Sequence, residues 1–289
     1  MTGKDPHMEY AEQKQLVADT GRRLLELGLV ARTWGNISIK TGPSQFVISP
    51  SGLGYENMQA DDVPLYDMDT GIWNGKRRPS SEKKIHEAAY KLYPTAGAVI
   101  HTHQDFATAV GLVGADGLKM TEEEKSLLGM ISVARYALPG TQELADNVAE
   151  ALNGSRVVLM AHHGVLIVGS DCDDAVCKAE VLEDVCRRAV LEKIGGDLPV
   201  HDFAGVRPFR AQLDDMAQMI GPRFSADIVS GLKAGLSPDD VRAMDLLVEK
   251  AVIAKKYSQA CGVKGDLGFF ECMRMRAVYK LKYSRQKNG

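Results

Sequence analysis

The chain has 289 residues, 45% apolar and 25% charged, with a formal net charge of −3, which is length enough for one large domain or a domain with an appendage. Lys+Arg (35) nearly balances Asp+Glu (38) and no basic block occurs, so the composition argues against a nucleic-acid partner. No run of about 18 apolar residues is present to span a membrane as a helix.

In chain order, residues 1–8, MTGKDPHM, lack the apolar core of a signal peptide and read as a tail or cloning remnant. Residues 9–28 form an amphipathic pattern on Leu16, Val17, Leu24, Leu25 and Leu27, with Gly28 placed to end the helix. NISIK and FVIS predict short strands around the turn TGPS; PSGLGYENM reads as loop, VPLYDMD as a strand and TGIWNGKRRPS as turn. SSEKKIHEAAYKLY predicts a helix with a serine N-cap and Pro94 beyond its end. A strand through Ala98-Val99-Ile100 follows, then a helix from Asp105, a strand at ISVARY, the turn LPGTQ and the helix ELADNVAEAL. RVVLMAHHGVLIVG reads as two strands or one bent strand broken near Gly164, and Ser170 or Asp171 caps a long helix. Cys172, Cys177, Cys186, Cys261 and Cys272 are odd in number with no C-x-x-C pair, the pattern of reduced thiols in a cytoplasmic protein. Residues 195–209 mark a boundary between a core, 9–200, and a mainly helical extension, 201–289, whose clearest element starts at Ser237-Pro238. Strands interspersed with helices argue for α/β or α+β with one mixed sheet.

The chemistry-bearing pattern begins at His101-Thr102-His103. A strand alternates faces with period two, so both imidazoles leave its end side by side, a geometry suited to one metal ion. The ordinary alternative is one packed and one solvated histidine. A catalytic divalent metal usually has three protein ligands. His162 and His163, before Gly164, supply a third candidate, and on a strand they would face opposite sides, so only one would serve. Glu82 follows Ser80 and Ser81 at a helix start, where acids and serines are ordinary capping residues. The same helix start can hold an anion such as phosphate, with Glu82 beside its carbon skeleton. The Glu82–His86 pair, one helical turn apart, is common on exposed helices and is discounted as a metal site. Asn36, Ser51 and Gly52, in GNIS and SPSG, offer small polar groups and close backbone approach.

The ordered set GNIS, SPSG, SSE, HTH and HHG gives the chain a resemblance, over about residues 9–195, to the class II aldolase/adducin family, most closely its sugar-phosphate aldolases of the L-fuculose-phosphate type. The resemblance implies a three-layer α/β/α sandwich with a central mixed β-sheet. It also implies a divalent metal, normally Zn2+, on His101, His103 and His163, a catalytic Glu82, and a phosphate site on Asn36, Ser51, Gly52, Ser80 and Ser81. The implied reaction is retro-aldol cleavage of a ketose 1-phosphate to dihydroxyacetone phosphate and an aldehyde, by a homo-oligomer with a tetramer favoured. Epimerases and dehydratases of phosphorylated ketoses share the site, the epimerases tending to carry aspartate at the position of Glu82. The adducin branch is a scaffold that has lost metal ligands. Two departures stand out. GADGLKMTEEEKSLLGM lacks the tyrosine that in these aldolases donates a proton to the aldehyde oxygen, and the chain runs about 90 residues past the usual core. Tyr257, Tyr279 and Tyr283 lie in that extension.

Overall fold

The computed structural model describes residues 10–30, 33–195, 253–254 and 256–262. The elements are α1 (Ala11–Glu26), β1 (Asn36–Lys40), β2 (Gln45–Ile48), β3 (Leu65–Asp67), β4 (Trp73–Asn74), α2 (Lys83–Leu92), β5 (Ala98–Thr102), α3 (Asp105–Val113), α4 (Glu122–Leu128), β6 (Ile131–Ala134), α5 (Gln142–Leu152), β7 (Val157–Met160), β8 (Gly164–Gly169) and α6 (Cys172–Ile194). The eight strands form one sheet in the order β4-β3-β2-β1-β5-β8-β7-β6, antiparallel throughout except for the parallel pair β6–β7. This is the mixed central sheet with flanking helices that the sequence led us to expect.

Strand periodicity sorts the sheet's residues between two apolar layers. Phe46, Ile48, Val99, Val158, Leu166 and Val168 join Ile85, Ala89 and Tyr90 of α2 and Leu144, Val148 and Leu152 of α5 in one buried core. The alternate residues Ile37, Val47, Ile100, Leu159, Val165 and Ile167 are equally buried, and α1 and α3 pack on the sheet. Each such side chain contributes roughly 1.5–3 kcal/mol of burial. In α1 only part of the expected apolar stripe is inside. Val17 and Leu24 are buried, whereas Leu16 and Leu27 stand 45% and 40% exposed, because the helix presents a single narrow face to the sheet.

Local chemistry explains the other departures from the sequence reading. The loop PSGLGYENM contains a 3-10 turn, Tyr55–Asn57, whose buried tyrosine packs so closely on Gly21 that a Cβ there would come within 2.4 Å of its ring. The stretch read only as lacking tyrosine holds α4. Its start is a reciprocal cap in which Thr121 Oγ1 accepts from Glu124 N (3.2 Å) and the Glu124 carboxylate accepts from Thr121 N (2.9 Å). Asp171, rather than Ser170, caps α6, accepting from Asp174 N at 2.8 Å.

The chain divides into two compact units, Met1–Val190 and Leu191–Gly289. In the second, residues 253–254 and 256–260 are helical and Tyr257 is buried. The rest of the expected extension, including the Ser237 cap, Tyr279, Tyr283 and Cys272, and the tail 1–8 lie outside the described residues. Cys172, Cys177, Cys186 and Cys261 are free thiols. Among the described residues no helix is long and apolar enough to cross a membrane.

Candidate active site

The three histidines of the expected metal set lie in and beside the ends of two neighbouring strands, β5 and β8, near the sheet's centre. His101 is the fourth residue of β5, opposite Asn36 of β1 and Leu166 of β8. Its Nδ1 lies 2.8 Å from the Val165 carbonyl. A carbonyl only accepts, so Nδ1 carries the proton and the neutral ring turns its Nε2 lone pair outward. His103 follows the strand, with its Nε2 3.0 Å from His101 Nε2. The backbone beside His101 is crowded. A Cβ on Gly35, at φ +83°, would meet the His101 carbonyl at 2.5 Å, and one on Gly164 would meet the Thr102 carbonyl at 2.3 Å. Side chains at either position would push this corner of the sheet apart.

His162 and His163 lie not on a strand but in the turn Ala161–His163, closed by His163 N to Met160 O (3.0 Å) and by pairing of Met160 with Gly164. His162 takes the left-handed conformation (φ 58°) that lets the turn close, and its ring stands edge-on to Tyr136 at 5.6 Å. The His163 ring lies 4.6 Å from that of His101 and 5.3 Å from that of His103. The two adjacent histidines therefore part company, as expected, but by turn geometry instead of strand alternation.

Glu82 completes the group from the opposite side. It occupies the N-cap position of α2, where a serine was expected, and its carboxylate makes no cap bond. Ser80 Oγ accepts the Glu82 N–H instead, at 3.2 Å. The carboxylate turns inward, with Oε1 2.9 Å from His163 Nε2 and Oε2 3.5 Å from His101 Nε2. Asn36 Nδ2 donates to Oε2 at 3.0 Å. Burial pushes the Glu82 pKa up, but the neighbouring imidazoles of His163 and then His101 outweigh it and hold the carboxyl well below its usual range. One ligand atom from each of Glu82, His101, His103 and His163 lies within 4.8 Å of the others. Three imidazoles and a carboxylate, with one ring already fixed by a backbone acceptor, are a donor set that fits a divalent cation.

Behind the carboxylate runs a polar chain that reading of the sequence did not find. His86, fully buried, contacts Asn36 Oδ1 through Nε2 and Ser38 Oγ through Nδ1 (2.7 Å), and Ser38 Oγ lies 2.9 Å from the Tyr90 hydroxyl. The signal was present as the i, i+4, i+8 series Glu82, His86, Tyr90 facing the i, i+2 pair Asn36, Ser38. Only the sheet order says that β1 faces α2. Burial, with a further push from His101 and opposition from Glu82, lowers the His86 pKa from 6.5 to about 3. Between those values the unfolded chain binds a proton that the folded one does not, so folded stability rises with pH. The contribution is complete above about pH 6.5 and is lost as pH falls toward 3, at up to about 1.4 kcal/mol per pH unit. Denaturant melts at pH 7.5 and 5 are expected to show this loss, and the loss should shrink in His86→Gln.

The five residues expected to hold phosphate divide in two. An isolated bridge between Pro50 and Pro79 brings Ser51 and Gly52 to Ser80 and Ser81, with Ser51 N on Arg78 O (3.0 Å) and Ser80 N on Ser49 O (3.1 Å). Ser51, Gly52 and Ser81 are exposed at this rim, Gly52 at φ +77° with open space beside it, while Ser80 is buried. The turn at Gly140 lies against the Ser81 carbonyl, which a Cβ there would meet at 3.0 Å. Asn36 lies deeper, on Glu82 and His86.

Residues 15–190 match the family description "Class II Aldolase and Adducin N-terminal domain". An L-ribulose-5-phosphate 4-epimerase of Salmonella paratyphi B is 34% identical over 216 residues, 70% of this chain and 90% of the relative. A 5-methylthioribulose-1-phosphate/5-deoxyribulose-1-phosphate aldolase of Rhodospirillum rubrum is 32% identical over 172 residues, 59% of this chain and 76% of the relative. Among solved structures, an L-fuculose 1-phosphate aldolase superposes with a TM-score of 0.61 at 30% identity, covering 69% of this chain and 96% of the other. The histidine–glutamate cluster and these likenesses together point to a divalent metal. The match over most of the central unit, on a sheet of the same fold, makes this chain a member of the class II aldolase/adducin family, in its branch of aldolases and epimerases.

Proposed function

We propose that this protein is a metal-dependent sugar-phosphate aldolase that reversibly cleaves a ketose 1-phosphate to dihydroxyacetone phosphate and an aldehyde, with Zn2+ on His101, His103 and His163. The observation that carries this reading is the Glu82 carboxylate, turned from its helix start to within 2.9 Å of His163 Nε2. When bound, such a cation supplies Lewis acidity that stabilises the negative charge developing beside a carbonyl as the carbon–carbon bond breaks. Glu82 exchanges the proton at the carbon that carries that charge, a contribution of roughly 10² to 10⁴ in rate. Asn36 holds Oε2, which also lies 3.5 Å from His101 Nε2, and leaves Oε1 on His163. The rim of Ser51, Gly52, Ser80 and Ser81 takes the phosphate, a non-reacting end whose binding orients the rest. The exposed apolar side chains Met130, Val133 and Leu138, by the edge strand β6, support a homo-oligomer.

A second reading, epimerisation of a pentulose phosphate at the same site, is favoured by the 34% identity to an L-ribulose-5-phosphate 4-epimerase. A non-catalytic scaffold is disfavoured by the full set of three histidines and Glu82. One screen separates these readings. The purified protein is incubated with phosphorylated ketoses, the aldehyde is trapped by reduction, and the configuration of recovered ketose is read by NMR. Trapped aldehyde supports the aldolase; inverted configuration without aldehyde replaces it with the epimerase; neither outcome, in protein loaded with metal, leaves a dehydratase if ketose is consumed and the scaffold if it is not. Ser81→Ala is expected to raise KM for the phosphorylated substrate at least about tenfold while metal content stays unchanged. Unchanged kinetics, or equal turnover of the dephosphorylated ketose, removes the phosphate site.

A further inference from the structure

The polar chain behind Glu82 has a direction that chemistry fixes link by link. A carboxylate only accepts, so Asn36 presents its Nδ2–H to Glu82 Oε2, and its Oδ1 must face the other way. That oxygen also only accepts, so the His86 nitrogen in contact with it, Nε2, carries the ring proton. In the neutral ring Nδ1 then accepts, so Ser38 donates to it, and the Ser38 oxygen in turn accepts from the Tyr90 hydroxyl. Reversing any one link would set donor against donor or acceptor against acceptor inside a buried space, at a cost of roughly 1–3 kcal/mol. The geometry permits the chain because the two elements advance in step. Four residues of helix rise about 6.0 Å and two residues of strand about 6.7 Å. Glu82, His86 and Tyr90 of the α2 segment therefore alternate with Asn36 and Ser38 of β1 over two full turns.

We propose that His86 is a positioning residue for the reaction, holding the Asn36 amide in the one orientation that offers an N–H to Glu82 Oε2 and so keeping Oε1 on His163. Without His86 the amide can turn over and set its oxygen against the carboxylate, which then loses its anchor. The hydrogen bonds of His86 run to Asn36 and Ser38, and it is through Asn36 that its effect reaches the carboxylate. The proposal rests on the reading of Glu82 as the proton-transferring group, and its test separates the two.

The first measurement needs no substrate. Long-range proton–nitrogen NMR of the metal-loaded wild-type protein at pH 7.5 should show His86 protonated on Nε2 and bare on Nδ1; the opposite tautomer overturns the proposal. The second compares His86→Phe, which keeps a flat ring near Phe46, with His86→Gln, whose amide can still donate to Asn36. In folded protein with wild-type metal content, His86→Phe should lose at least tenfold in kcat with KM within threefold, and His86→Gln should recover most of that loss. A kcat loss under tenfold, a loss carried by KM, or no recovery in His86→Gln overturns the positioning role. Should His86→Phe fail to fold, the tautomer and the kcat of His86→Gln, expected within fivefold of wild type, decide it. Should the wild-type protein turn over no sugar phosphate, the proposed function fails while the tautomer still decides whether His86 orients Asn36.

Discussion

Glu82→Gln is expected to lower turnover by at least roughly a hundredfold while a phosphorylated substrate analogue still binds. Glutamine keeps the shape, and its amide oxygen can still accept from Asn36 Nδ2, the bond now made at 3.0 Å. What it loses is the ability to take up and return a proton. The loss should therefore fall on kcat, and the variant should also fail to exchange the α-proton of dihydroxyacetone phosphate with deuterated solvent. The low pKa of the carboxyl sets the direction of the pH dependence: the anion is the competent base, so activity that depends on it falls as acid protonates Glu82. Cleavage and exchange that both survive, in a variant with normal metal content, would reduce Glu82 to a helix-start acid.

His163→Ala is expected to strip divalent metal from the purified protein, with affinity falling at least about a hundredfold, whereas His162→Ala should hold metal near the wild-type level. The two residues are chain neighbours of the same type, so the comparison controls for the loss of an imidazole from this turn. The left-handed backbone at His162 sends its ring to Tyr136, while the His163 ring lies 4.6 Å from that of His101. Elemental analysis after dialysis against a weak chelator reads the difference directly. Equal loss from both variants would show the ligand choice to be wrong. Because His101 is oriented by a backbone carbonyl at 2.8 Å and Gly164 is paired with Met160, the metal-free protein should stay folded, and metal should add stability by mass action.

The pairing of His101 with His103 was legible from strand periodicity, whereas the choice of His163 and the role of Glu82 came with the ordered motifs that carry the family resemblance. His101 and His103 point together because residues two apart on a strand share a face, and α2 begins where serines and an acid cluster before an apolar stripe. What stayed hidden depends on which elements become neighbours. Asn36 was expected at the phosphate because the family resemblance carried by GNIS implies it there. In the fold it lies opposite His101 on the paired strand, which puts its amide on Glu82. His86 was set aside because a Glu-x-x-x-His pair usually lies on a solvated helix face. Here that face is buried against β1, where Ser38 and Asn36 supply its partners. The N-cap position expected for a serine falls to Glu82 for a related reason. Glu82 is drawn inward by the histidines, and the start of α2 is tied by Ser80 instead.

The histidines and the carboxylate are mounted on parts of the molecule that are expected to open at different rates. His101 and His163 border the β5–β8 and β7–β8 ladders, whose amides open only when the middle of the sheet does. Glu82 is at a helix end, where its own N–H is held by one serine oxygen and the first turn can fray without disturbing a strand. Slow exchange at Thr102 and Val165 beside faster exchange at Glu82 is the signature this arrangement carries. A small, inexpensive fluctuation can thus withdraw the base and readmit it while the imidazoles hold their places. Substitutions along α2 are accordingly expected to move the Glu82 carboxylate without rebuilding the histidine cluster.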